Sequence, residues 1–272
     1  MSKIGIIAGG GSLPLFIGKN LLKNNYPVCF FYIKNFADPK LYVNYECNEI
    51  ELTSLTKILD SLKKNKISQI VMAGKIVRPS IKDIKFDFNT IKIIKEFFLE
   101  SKGDDDILKF ISKLFLNKGF PLFDWKNVCK DLFTNKDHLT SKRPSKYANQ
   151  NKEKGLDIFK IIGKADIGQS IIIQNQLILG IEGIEGTDEL IKRCNQYKKI
   201  GDKGILLKLS KSKQHNFLDL PTIGFETVKN IKNYNYEGLF IEKNHCIIIE
   251  KEVVIDFCNN NDLFLSTIEK ID

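Results

Sequence analysis

A chain of 272 residues has room for one large core or two smaller ones, and 43% hydrophobic with 28% charged residues is the balance of a soluble globular protein. The formal charge of +9 comes almost wholly from lysine, the arginines being Arg78, Arg143 and Arg193. That charge is spread along the chain rather than clustered with aromatics, which argues against a nucleic-acid binder, and no apolar run nears the ~20 residues of a membrane span.

The chain enters a strand pattern at once, with no signal peptide. Its cysteines, at 29, 47, 129, 194, 246 and 258, show neither a C-x-x-C pair nor zinc spacing. Cys29 lies within the apolar run VCFFYI, as a buried free thiol does. Both features point to a reducing, cytoplasmic setting. The positive charge reads as solubility with some attraction for anionic substrates or membrane surfaces.

In chain order, residues 3–8 form a buried strand pattern, 13–23 a helix, 28–33 and 47–52 further strands, 53–65 a helix and 69–73 another strand. Apolar strands alternating with amphipathic helices predict a Rossmann-like parallel sheet. Helices follow at 90–100 and 105–117, separated at Gly103. From 134 to 155 the pattern fails: TNKDHLTSKRPSKYANQNKEKG is polar, carries Pro144 and has no hydrophobic period. The domain boundary falls here, giving an N-terminal domain over 1–134, a linker over 135–155 and a separate α/β C-terminal domain over 156–272. The second domain offers a helix at 156–164 and strands 170–174 and 177–181 around an Asn175–Gln176 hairpin turn. A helix at 188–197, a strand at 204–209, a polar loop and a helix at 225–233 follow. Segments 238–241, 246–250 and 263–266 read as short strands, with a helix at 251–259. Short neighbouring strands in this half suggest antiparallel hairpins.

Chemistry concentrates at the turns. The first strand runs into Gly9-Gly10-Gly11-Ser12-Leu13-Pro14, whose N–H groups can cradle a phosphate or form a tight structural turn. Ser12 suits an N-cap and Pro14 the first helical turn. Pro14 stands where a dinucleotide fingerprint has its third glycine, and Lys34 stands where a ribose-binding acid belongs. The strand at 69–73 delivers Gly74, Lys75 and Arg78 to a strand carboxyl end, where phosphate contact and a solvated basic loop are both open readings. Asp104 and Asp105, with Asp106, open a helix as cation ligands or as caps. Asp166 and Gln169 lie at another chain reversal. In LGIEGIEGTDELIKR, Thr187 reads as N-cap with Asp188 and Glu189 complementing the dipole, which leaves Glu182 and Glu185 without a role. The last polar loop places Lys208 upstream of Asp219, which Leu220-Pro221 holds extended. The histidines, 138, 215 and 245, share no metal spacing, and no serine-hydrolase or zinc-hydrolase motif occurs.

Taken together, GIIAGGGSLPLFI, AGKIVRP, GDDDIL, ADIGQSIII, IEGIEGTDELIKR and DLPTIGFETV resemble one family in their order and span. They resemble the UDP-2,3-diacylglucosamine pyrophosphatases of lipid A biosynthesis. The resemblance implies two α/β domains, a homodimer, and Mg²⁺-dependent splitting of UDP-2,3-diacylglucosamine into UMP and 2,3-diacylglucosamine 1-phosphate. It also allows peripheral contact with the inner membrane. The family's essential aspartate maps onto Asp219, which is expected to hold the metal or orient the attacking water, with Asp188 as a second metal candidate. Gly10, Gly11, Ser12, Lys75, Arg78, Asp104 and Asp105 are the N-terminal candidates for substrate contact. Gln169, Glu185, Gly186, Thr187, Asp188, Lys208 and Thr222 are the C-terminal ones. The family's Q-D-x-R segment is replaced by Gln214-His215-Asn216-Phe217. A nicotinamide-dependent oxidoreductase and an inactive nucleotide-sugar-binding protein are the alternative readings.

Overall fold

A computed structural model describes residues 2–76, 104–164, 167–210 and 220–269, without the side chains of 104–107 and 164. The expected helix at 90–100 and the candidates Arg78, Asp166 and Asp219 lie outside the described residues, as does the altered segment at 214–217. The chain divides into two compact units, Met1–Cys129 and Lys130–Asp272.

The first unit holds strands β1 (Ile4–Ala8), β2 (Val28–Ile33), β3 (Cys47–Ile50) and β4 (Gln69–Ala73), with helices α1 (Leu13–Lys23), α2 (Leu55–Lys64) and α3 (Asp104–Asn117). The strands are all parallel, in the order β3-β2-β1-β4. β1 is buried along its length, as a strand covered on both faces must be. Ile58, Leu59 and Leu62 of α2 pack with Phe31, Ile33 and Ile70 on one side of the sheet. The strand order reverses between β1 and β4, the switch point at which open α/β sheets hold ligands.

In the second unit, strands β5 (Ser170–Gln174), β6 (Leu177–Ile181), β7 (Ile205–Lys208), β9 (Gly238–Glu242) and β11 (Phe264–Ile268) form a sheet in the order β11-β9-β7-β5-β6. A small parallel pair, β8 (Thr222–Ile223) and β10 (Ile247–Ile248), stands apart. β7, β9 and β11 run parallel, and β5 runs antiparallel to both β6 and β7. The expected hairpin is present, with Asn175 and Gln176 both at positive φ as a two-residue turn requires. The expectation of further antiparallel hairpins fails for β9 and β11. A helix intervenes before β11, and such a crossover returns the chain in parallel.

Helix α4 (Lys146–Lys164) covers one face of this sheet through Ala148, Phe159 and Ile162. Helices α5 (Thr187–Cys194), α6 (Phe225–Asn233) and α7 (Lys251–Asn260) cover the other through Leu190, Val228 and Val254. α4 starts ten residues before the expected helix start at 156, inside the segment expected to be a linker. The rest of that segment is also engaged: Leu139 N donates to Leu265 O at 2.9 Å and Thr267 N to Asp137 O at 2.8 Å, so it lies along β11. Residues 135–155 are therefore not a loose linker. The six cysteines are free thiols. No helix among the described residues is long and apolar enough to cross a membrane.

Candidate active site

At the switch point of the first unit the glycine turn meets the chain leaving β4. Gly9 N donates to Ala73 O at 2.8 Å and Gly10 N to Lys75 O at 2.7 Å, while Lys75 N returns a bond to Gly10 O at 2.9 Å. A Cβ on Gly9 would sit 2.7 Å from Lys75 O. The glycines thus let two backbones cross, and the N–H groups of Gly9 and Gly10 are not available to a phosphate. That corrects the cradle expected at Gly10. Gly11, at φ +85 with nothing within 4 Å of a Cβ, and Ser12, whose side chain makes no capping bond, stand free of that crossing at the start of α1. Lys75 is exposed beside them. Lys34, where a ribose-binding acid would stand, is paired with Glu51 at 2.9 Å and Glu49 at 3.6 Å. Asp104 and Asp105 open α3, with their side chains outside the described residues.

In the second unit, β7 ends on Lys208, a lysine 3% exposed. Its Nζ donates to Thr187 Oγ1 at 2.6 Å and Ser170 Oγ at 3.1 Å and lies 3.6 Å from Glu182 Oε2. Thr187 Oγ1 donates in turn to Glu182 Oε1 at 3.1 Å. Burial opposes ionisation of Glu182, but the Lys208 ammonium, the Ser170 and Thr187 hydroxyls and the Gln169 N–H outweigh it and hold the carboxyl below its usual range. The expectation that Lys208 contacts substrate is corrected: its ammonium is enclosed by protein partners. Thr187 is not the N-cap either. Gly186 takes that place at φ +82, and Thr187 opens α5 with its hydroxyl turned into the buried network.

Glu185 also finds a role the sequence did not reveal. Its Oε1 accepts from Arg193 Nε at 3.0 Å and Nη2 at 2.8 Å, and its Oε2 accepts from Gly183 N at 3.1 Å. Asp188 Oδ1 accepts from the Thr227 hydroxyl at 3.1 Å, tying the first turn of α5 to the first turn of α6. Gln169 O accepts from Leu209 N at 2.9 Å, and the Thr222 hydroxyl donates to Leu220 O at 3.0 Å. Both α5 and α6 begin at a glycine with no side-chain capping bond, although in α6 the Thr227 N–H already donates to Gly224 O at 3.1 Å. Gln169, Gly186, Thr187 and Asp188 therefore gather with Lys208 at the end of the sheet where β7 and β9 finish. Asp219, which directly precedes Leu220 in sequence, lies outside the described residues.

Sequence reasoning missed Ser170, which shares Lys208, and Glu242, which ends β9 at 2% exposure. A usable signal was present: ionisable residues close the apolar runs GILLK and GLFIE at nearly equal register, Lys208 pairing with Ile241. Among the described residues no three His, Cys, Asp or Glu side chains gather as a metal-ligand set. Asp188 alone is not a cation cage, although Mg²⁺ typically needs only one or two carboxylates beside water and substrate phosphate.

The fold and this edge define a protein of two α/β units, in which the second unit's buried charges hold helix N-termini over a sheet's carboxyl end. Comparison with known proteins makes the assignment specific. The LpxI N-terminal domain matches residues 3–132 and the LpxI C-terminal domain residues 135–266, so the chain belongs to the LpxI family. It is similar to the UDP-2,3-diacylglucosamine pyrophosphatase LpxI of Caulobacter vibrioides, 26% identical over 272 residues and covering 97% of each chain.

Proposed function

We propose that the protein hydrolyses the pyrophosphate bond of UDP-2,3-diacylglucosamine to UMP and 2,3-diacylglucosamine 1-phosphate, in lipid A biosynthesis. The observation that carries this reading is the match of both LpxI domains, in order, across nearly the whole chain, together with the activity named for the Caulobacter relative. The diphosphate brings two negative charges, so the reaction calls for neutralisation and an activated water. In this reading Mg²⁺ supplies the neutralisation, with Asp219 as its principal protein carboxylate and Asp188 as a second candidate. The uncapped starts of α5 and α6 suit phosphate oxygens, with Gln169, Gly186, Thr187 and Thr222 beside them. Gly11, Ser12, Lys75 and Arg78 are assigned to nucleotide contact in the first unit, with Asp104 and Asp105 as further contacts there. Lys208 supports the site by holding Thr187. The protein acts in the cytoplasm as a homodimer that meets its acylated substrate at the inner membrane surface.

Purified protein incubated with UDP-2,3-diacylglucosamine and Mg²⁺ is expected to release UMP, and Asp219→Ala to abolish that release. No UMP from the wild type would refute the reading, and equal rates would refute the role of Asp219. In ¹⁸O-water, attack at the phosphorus next to the sugar places label in the sugar phosphate; label only in UMP would exclude it.

A further inference from the structure

At the opposite end of the five-stranded sheet from Lys208, a cleft of about 630 Å³ opens among Arg143, Ser145, Tyr147, Asp202, Lys203 and Glu237. Asp202 and Lys203 precede β7 and Glu237 precedes β9, so the cleft lies at the amino ends of these strands. The four residues of β7 separate it from Lys208 by roughly 13 Å of strand. Its carboxylates are committed to the wall. Asp202 Oδ1 accepts from Gly204 N at 2.7 Å, and Oδ2 accepts from Asn175 N at 2.9 Å and Asn151 Nδ2 at 3.1 Å. The two Glu237 oxygens accept from Ser145 N and Ser145 Oγ, each at 2.8 Å. The wall is also closely fitted: a Cβ on Gly201, at φ +145, would lie 2.1 Å from Asn175 Oδ1. The cations are not so committed. Arg143 uses one N–H, from Nη1 to Thr140 O at 2.6 Å, and Lys203 makes no hydrogen bond or ion pair among the described residues. Asp262, whose ionisation Lys203 also favours, is already bound by Lys142 at 2.6 Å. Tyr147 is 61% exposed, which leaves its ring open at the cleft.

We propose that this cleft is a second ligand site, for a nucleoside phosphate, with the phosphate between Arg143 and Lys203 and the base against Tyr147. Two like charges line one opening whose carboxylates are turned to backbone, amide and serine donors. A phosphate supplies the acceptors that these side chains lack, and a guanidinium meets its oxygens in pairs. An anion between the two cations also removes their mutual repulsion. An exposed aromatic ring beside cations is the combination that takes a base together with its phosphate. A cleft of this volume admits a mononucleotide. Open α/β sheets hold their principal ligand at the carboxyl ends of the strands, so a site at the amino ends is additional to that one. It does not depend on the hydrolysis reading above, which places the diphosphate at the starts of α5 and α6.

UMP serves as the probe. Titrated into the full-length protein without substrate, it is expected to shift the amide resonances of Tyr147, Gly201 and Lys203 saturably, with a Kd of about 1 mM or below. Inorganic phosphate should act on the same amides about tenfold more weakly, for want of a stacked base, and uridine should not bind there. Arg143→Ala and Lys203→Ala should each weaken UMP at these amides by about tenfold, the worth of one charge-assisted hydrogen bond. Tyr147→Ala should bring UMP down to the affinity of inorganic phosphate. Lys203 has no protein partner among the described residues to lose, so its variant reads binding even if Arg143→Ala disturbs the turn at Thr140. UMP shifts confined to Gly186 and Thr187, unaltered affinity in Lys203→Ala, or uridine binding as tightly as UMP overturns the inference. Equal affinity for inorganic phosphate and UMP overturns it too, because the ring would then contribute nothing, and so does binding to phosphatidylglycerol vesicles with none to UMP. None of these measurements uses turnover, so a preparation that fails to hydrolyse UDP-2,3-diacylglucosamine still decides the question.

Discussion

Each unit carries a glycine-rich turn between a strand and a helix. In the first, Gly9 and Gly10 cross the chain that leaves β4, and the contacts made there are backbone to backbone. In the second, the turn between β6 and α5 brings Glu182, Glu185 and Thr187 to cationic partners, Lys208 and Arg193. Glycine announces close approach in both places. What is approached depends on the neighbouring strand: β4 ends on Ala73, which offers only a carbonyl, whereas β7 ends on Lys208, a buried cation that requires acceptors.

The sharpest way to break this contrast is Lys208→Met, which strands the Glu182 carboxylate in the interior. Removing one partner of a buried pair costs on the order of 3–5 kcal/mol. Thermal melts should show the second unit losing on the order of 10 °C. Adding Glu182→Gln should recover part of the loss, and an unshifted melt in Lys208→Met would dissolve the distinction between the turns. In the first unit, Gly9→Ala is expected to cost ~2 kcal/mol, because its Cβ meets the Lys75 carbonyl at 2.7 Å and backbone must move. Gly11→Ala should cost less, ~1 kcal/mol, since its Cβ meets nothing and only its positive φ is strained. Amide exchange in β1 and β4 reads both, and a reversed order would mean the crossing does not hold the turn.

The parts of the fold that were legible in sequence are those whose burial is apolar. β2 and α1 begin and end where hydropathy places them, and so do β4 and the β5–β6 hairpin. The first half of α4 was not legible, because its buried face is Ala148, Asn151 and Gly155 before it becomes Phe159 and Ile162. The spacing is helical, but small and amide side chains carry no hydropathy signal. Asn151 is buried because its amide donates to Asp202 and accepts from Gln176 N, and Gly155 because a Cβ there would strike Ile173 and Leu207. The site divides in the same way. Glycines and acids marked the turn after β6, but that Thr187 turns inward to Lys208 depends on two elements meeting across 21 residues of chain. No local pattern encodes that pairing.

Two smaller effects sharpen the comparison within the second turn. Glu182 has its folded pKa held below the unfolded value, so its contribution to stability is complete above about pH 4.3 and is lost as pH falls through the folded pKa. A Lys208→Met, Glu182→Gln double variant should therefore lose stability less steeply than wild type below about pH 4.3. Urea midpoints measured across that range test it, and parallel curves would remove Glu182 from the acid response. Glu185 and Arg193 are 27% and 41% exposed, so their pair is screened by solvent despite its short contacts. Glu185→Ala should change stability by less than ~1 kcal/mol. The same substitution frees Gly183 N and removes an acceptor from Arg193, which still reaches Ile181 O at 2.8 Å. A loss as large as that of Lys208→Met would place the strength of this turn in its exposed pair, and the contrast with the first unit would then rest on Arg193 rather than on the buried lysine.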